Sequence, residues 1–233
     1  MRATTLLLTL LLASGAFAQR DRDRFWGRDR PATLGGGLEI GIPVGAFADS
    51  WGREIVGVSA DLGVPMRLLP FDWGFDFAWG SMGGESRLVE VEQENLDPNT
   101  TGNLTVRSNV YGYHGTLRFK PVIGKVSPYI EGMAGLRHFT TRTRIKVDGT
   151  NEELSKERNA SAFTGSAGWA VGVQVAPTRG FYVEGRVERL NGGKVTYVDP
   201  RSISITSGGD VSYETISSPT RLVNVHLGIG FQF

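Results

Sequence analysis

From Leu34 onward the chain alternates between apolar residues and polar or small ones, most clearly at its end. Val223, Val225, Leu227, Ile229, Phe231 and Phe233 take one parity, and Asn224, His226, Gly228, Gly230 and Gln232 take the other. The same contrast sets Phe163, Ala167, Trp169, Val171, Val173 and Val175 against Thr164, Ser166, Gly168, Gly172 and Gln174. It returns with Trp73, Phe75, Phe77 and Trp79 opposite Asp72, Gly74, Asp76 and Gly80. A period of two is the mark of strands with two unlike faces. No stretch shows a convincing helical period. Eight strands are predicted, over 34–45, 56–68, 72–82, 106–120, 129–140, 162–176, 181–190 and 221–233. Each is long enough to cross a bilayer when tilted, which takes about 9–11 residues.

The predicted connections alternate in length. Those after the second, fourth and sixth strands are compact and carry proline, around Pro70, Pro121 and Pro177. Those after the third, fifth and seventh are long and polar, and within the last of them 195–198 and 203–206 are candidates for a hairpin. Short turns opposite long loops are expected of outer-membrane barrels. Pro43 and Pro65 fall near strand ends, and no proline falls in a strand centre, where it would remove a ladder hydrogen bond.

Alternation alone does not say which face is outside. An eight-stranded barrel is only just wide enough to be filled by side chains, so the bulky residues would overpack it. The glycine-rich face therefore belongs inside. The charges agree: Glu39, Asp61, Asp76, Arg118, Glu131, Arg137, Glu184 and Arg186 all share the small-residue parity. Arginine at a bilayer midplane costs ~2–4 kcal/mol, so the opposite register would cost on the order of 10–20 kcal/mol in all. That exceeds the stability of a typical domain, ~5–15 kcal/mol. The expected fold is an all-β, eight-stranded antiparallel up-and-down transmembrane β-barrel over 33–233, and its even strand count places both termini in the periplasm.

The rest of the chain supports an exported protein. Residues 1–18 read as a signal peptide, with Arg2, a short apolar run, and cleavage between Ala18 and Gln19 after Ala16-Phe17-Ala18. Residues 19–32 alternate Arg and Asp and read as a solvated periplasmic linker. Net charge is +1, which favours no nucleic acid. Cysteine is absent, which removes thiolate metal sites, a lipid anchor on cysteine and a cysteine nucleophile. No cofactor or metal site is expected. Asp97 to Ser108 starts like a calcium loop but lacks Glu at its twelfth position.

The Gly-rich opening Leu34-Gly35-Gly36-Gly37-Leu38-Glu39-Ile40-Gly41 and the closing Leu227-Gly228-Ile229-Gly230-Phe231-Gln232-Phe233 resemble small outer-membrane β-barrels of the OmpA and OmpX type. The resemblance covers essentially the whole mature chain. It implies the outer membrane of a Gram-negative bacterium, with Phe231 and Phe233 as the signal read by the barrel assembly machinery. It says little about activity, because this fold hosts many.

Three constellations are candidates for chemistry. The lumenal charges, with Glu188, His114 and His226, form either an ion-pair plug or a conducting path, and the narrow bore favours the plug. His114-Gly115-Thr116 lacks a serine, and outward-facing His138 has no nucleophile at matching spacing. A nucleophile, a base and an orienting group are the minimum for covalent catalysis, so no enzyme is expected. Arg107, Arg142, Arg144 and Lys146 share the outward parity above the apolar belt. They are either a solvated extension balanced by loop acids or a contact for lipopolysaccharide phosphates. The expected function is a non-catalytic anchor that displays long loops for surface interaction or envelope integrity. Its alternatives are a narrow channel or small-solute transporter and, behind that, a lipid A-modifying enzyme.

Overall fold

The computed structural model describes residues 30–67, 69–90, 101–147, 153–178, 180–198, 202, 204–205, 211–212 and 214–233. The signal peptide, with Ala18 and Gln19, and linker residues 19–29 lie outside them. The elements are β1 (Thr33–Pro43), α1 (Ala46–Trp51), β2 (Ile55–Pro65), β3 (Phe71–Glu90), β4 (Thr101–Phe119) and β5 (Val126–Val147). They continue with β6 (Glu153–Thr178), β7 (Phe181–Val198), the short β8 (Ser204–Ile205) and β9 (Val211–Ser212), and β10 (Thr215–Gln232).

Eight of these strands close into one barrel in the order β1-β10-β7-β6-β5-β4-β3-β2. All neighbours are antiparallel, and chain neighbours pair throughout apart from the seam. At the seam β1 meets β10 from Thr33↔Gln232 to Pro43↔Leu222. Ala32 and Phe233 extend it with two hydrogen bonds, at 2.9 and 3.0 Å. Closure leaves no sheet edge, which is what a strand surface in hydrocarbon requires.

The alternation determines the two faces. Leu38 and Leu227 are 66% exposed, Phe163 63%, Phe231 60% and Trp73 54%, and all point outward. Glu131 and Glu184 are 1% exposed and Arg186 2%, and all point into the lumen. The bulky residues therefore form an outer belt around a polar, glycine-rich interior.

Strands depart from the predicted bounds at the end with the long connections. β3 runs to Glu90 instead of 82, β5 to Val147 instead of 140, and β7 to Val198 instead of 190. Above the belt the outward side turns polar, with Arg142 on β5 and Lys194 and Thr196 on β7, so the contrast that advertises a strand is lost, yet backbone pairing needs none. Residues 195–198 pair with 215–218 of β10, and 204–205 pair with 211–212, so the predicted hairpin has different partners. Pro219, placed in a loop by its sequence, lies inside β10 at a register shift. A proline is tolerated there because the ladder is already interrupted.

One helix was missed. α1, in the connection between β1 and β2, has six residues, and its buried side chains Phe47 and Trp51 stand four apart on one face. So short a helix is not stable by itself. It forms because both aromatics sink into the barrel mouth against Phe139, Val110, Leu222, Tyr197 and Met82. Burying each contributes roughly 1.5–3 kcal/mol. Gly45 and Gly52 flank the helix at φ 61° and 64°, where a side chain would be strained.

Candidate functional site

The lumen is the richest concentration of chemistry in the barrel. Its centre is an ion-pair network from five strands. Arg118 Nε donates to Glu131 Oε2 at 2.6 Å, and its Nη1 reaches Glu184 Oε2 at 3.4 Å. Asp61 Oδ2 stands 3.8 Å from Arg118 Nη2. Arg186 Nη2 pairs with Asp76 Oδ2 at 2.9 Å and Glu188 Oε1 at 2.6 Å, while its Nη1 reaches Glu131 Oε1 at 3.4 Å. Glu131 thus ties the two guanidinium groups together. Glu184 also accepts from Tyr129 Oη and Gln174 Nε2, each at 2.5 Å. The Tyr129 ring lies 4.2 Å beneath the Arg118 guanidinium, a cation–π contact.

Glu39 and Arg137 stand above this centre. Glu39 joins through Asn224, whose Nδ2 donates to Glu39 Oε1 at 2.7 Å and Glu188 Oε2 at 3.3 Å. Arg137 is only 3% exposed; it donates to the Thr220 carbonyl at 3.3 Å and lies over the Phe139 ring. His226 is also buried, and both of its ring nitrogens lack a partner. A side chain at Gly228 would run into its imidazole, so the glycine provides its room. A cavity of about 30 Å³ is bordered by Glu39, Arg137, Glu188 and Asn224, and also by Val110 and Leu222 of the apolar cluster that holds Phe47 and Trp51.

The end bearing the termini is closed by different residues. Arg30 Nη2 donates to the carbonyl oxygens of Met66, Leu69 and Phe71 at 3.0, 2.6 and 2.8 Å, and Nη1 pairs with Asp72 at 2.9 Å. Lys120 Nζ completes the cluster, 2.8 Å from Asp72. Burial lowers the pKa of Lys120 and Arg118 lowers it further, while Asp72 opposes both. The last linker residues are thus docked on the β2–β3 turn.

Two serine–histidine pairs escaped sequence reasoning because each serine comes from another strand. His114 Nε2 lies 2.6 Å from Ser166 Oγ, buried in the lumen. His138 Nε2 lies 2.9 Å from Ser161 Oγ on the outer face, a hydroxyl brought by the neighbouring strand where the sequence around His138 shows no nucleophile at matching spacing. The His138 ring stacks on Phe163 at 4.1 Å and faces Tyr111 at 5.8 Å. Just above this aromatic group, Arg107 and Arg142 are cross-strand partners, both exposed. Arg144, half-buried, follows opposite Thr105, and Lys146 continues β5 opposite Asn103. At the far end of the belt Phe231 meets Phe181 edge-on, and Phe233 is 71% exposed.

No protein-family model and no curated protein matches the chain. Solved structures of small outer-membrane β-barrels are similar to it. One is Ail, the attachment invasion locus protein of Yersinia pestis, in complex with the heparin analogue sucrose octasulfate. It is 16% identical over 88% of this chain and 100% of that one, with a TM-score of 0.44. Another is the outer membrane protein OprG from Pseudomonas aeruginosa, 11% identical over 89% of this chain and 98% of that one, with a TM-score of 0.46. A third is a major outer membrane protein from Thermus thermophilus, 11% identical over 87% and 99%, with a TM-score of 0.45.

Proposed function

We propose that this chain is a non-catalytic anchor in the outer membrane of a Gram-negative bacterium, a rigid barrel that displays its long connections for surface interaction or envelope integrity. The observation that carries this reading is the filled lumen: Arg30 at one end, the Arg118–Arg186 network in the middle, and Phe47 with Trp51 at the other. A bore packed in this way leaves display as the use for the fold. In this reading both termini are periplasmic, the long connections face outward, and cleavage falls between Ala18 and Gln19. Phe231 and Phe233 are read by the barrel assembly machinery, and no cofactor is needed.

The test is electrical. The purified barrel should be silent in a planar lipid bilayer. Steady openings that change when Arg118 or Glu131 is neutralised would replace the anchor with the channel reading.

The same reading gives Arg107, Arg142, Arg144 and Lys146 a partner in the phosphates of lipopolysaccharide. The paired, exposed Arg107 and Arg142 directly above the Tyr111–His138–Phe163 group support it. Anionic headgroups would lie at this height, and guanidinium groups bind phosphate through paired hydrogen bonds. Changing all four residues to Gln should reduce the lipopolysaccharide that co-purifies with the barrel. Unchanged retention would remove this partner and leave the anchor standing.

A further inference from the structure

The outer half of the lumen is a bowl with apolar walls and a charged floor, and the chain fills it with its own side chains. Phe47 meets Phe139 and Tyr197 edge-on at 6.5 and 6.0 Å, and Trp51 meets Tyr197 at 5.7 Å. The floor is the cavity of about 30 Å³, which has room for a water-sized group and none for a ring. Two buried acceptors there lack a donor, Glu39 Oε2 and Asn224 Oδ1. Asn224 is only 2% exposed. Its amide nitrogen is already committed to Glu39 and Glu188, so turning the amide over would set oxygen against oxygen.

The element over this bowl is lightly held. Its backbone and hydroxyl hydrogen bonds, Asp49 N to Gly45 O and Ser50 Oγ to Ala46 O, stay within the helix and its cap. Its hold on the barrel rests chiefly on two aromatic side chains, and the Trp51 indole N–H is buried without an acceptor. Left-handed glycines stand at both ends, Gly45 and Gly52.

We propose that the bowl is a binding site for a small aromatic amine, and that α1 is the lid that fills it when no ligand is present. The ring of the ligand takes the place of Phe47 and Trp51 among Val110, Phe139, Tyr197 and Leu222. Its ammonium group enters the cavity and donates to Glu39 Oε2 and Asn224 Oδ1. The charge of the lumen sets the sign of the ligand. Glu39, Asp61, Asp76, Glu131, Glu184 and Glu188 are six carboxylates, against three guanidinium groups on Arg118, Arg137 and Arg186. A cation is drawn in and a carboxylate repelled. A metal ion fits less well: among the described residues no group of three or more His, Asp or Glu side chains is placed to hold one. The site does not depend on the anchor role, which the conductance measurement tests separately.

The experiment compares tryptamine with indole-3-propionate, two probes of similar shape and opposite charge, by calorimetry on the mature barrel in lipid nanodiscs. The Phe47→Ala/Trp51→Ala variant should bind tryptamine more tightly than the unaltered barrel does and should not take up indole-3-propionate. Adding Glu39→Gln and Asn224→Ala should weaken tryptamine about tenfold, the loss expected when a charged hydrogen bond goes. Folding of each variant is read from its heat-modifiable electrophoretic mobility. Replacing 46–51 with a Gly-Ser linker provides an open bowl should the double variant not assemble. A folded lid-free barrel that binds neither probe, or both alike, overturns the proposal.

Discussion

Replacing Arg186 with Met should lower the unfolding free energy of the barrel in lipid vesicles by about 3–5 kcal/mol, the usual cost of removing one partner of a buried ion pair. Its guanidinium group is buried among Asp76, Glu131 and Glu188 at 2.9, 3.4 and 2.6 Å. The lumen already carries more carboxylates than guanidinium groups, so the loss leaves Asp76 and Glu188 facing each other without a cation and Glu131 with Arg118 alone, with little water to screen them. Changing Asp76 and Glu188 to Gln in the same chain should recover part of the loss, since the penalty lies in the unpaired charge. Urea titration followed by heat-modifiable mobility measures both. A variant within about 1 kcal/mol of the original, below even a typical buried hydrogen bond to a charged group, would mean that water or counter-ions reach the network and that the lumen is not sealed.

The second large effect is expected at Gly172. A side chain there would overlap the Tyr129 ring, whose hydroxyl donates to Glu184 and whose face carries Arg118. Gly172→Val should cost about 1–3 kcal/mol for overpacking. Displacing the tyrosine adds about 1.5–3 kcal/mol for a hydrogen bond to a charged group. Assembly into the heat-modifiable form is the sensitive readout. Adding Tyr129→Ala should relieve the clash but remove the hydrogen bond to Glu184 and the buried ring, so the double variant should stay well below the original. If the valine variant assembles and resists urea like the original, the lumen is roomier than this packing implies.

The two faces of the barrel were legible because bulk and charge segregate by parity. Leu227 and Phe231 against His226 and Gly230 decide the direction of β10, and Trp73 and Phe75 against Asp72 and Asp76 decide that of β3. Which arginine meets which carboxylate was not legible. Arg186 and Asp76 are 110 residues apart and touch across the bore, a distance that alternation does not encode. Ser166 reaches His114 from the next strand but one, a neighbour that alternation does not encode either. Gly45 to Gly52 carries one pair of aromatics four residues apart, too little to distinguish a helical period from a turn. Arg30 sits in an alternating run of charges that reads as solvated, and only the carbonyls of the β2–β3 turn show why it docks.

Strand length has a consequence for reach. β5 has 22 residues. At about 3.3 Å per residue and a tilt near 40°, a strand of that length rises roughly 55 Å along the barrel axis. The lipid-facing band of such a barrel is about 25 Å tall. More than half of β5 therefore stands clear of the hydrocarbon, mostly on the side of the long connections. A paired strand of that length carries the start of its long connection well beyond the hydrocarbon, a distance that unpaired chain would have to cover at a large cost in conformational entropy.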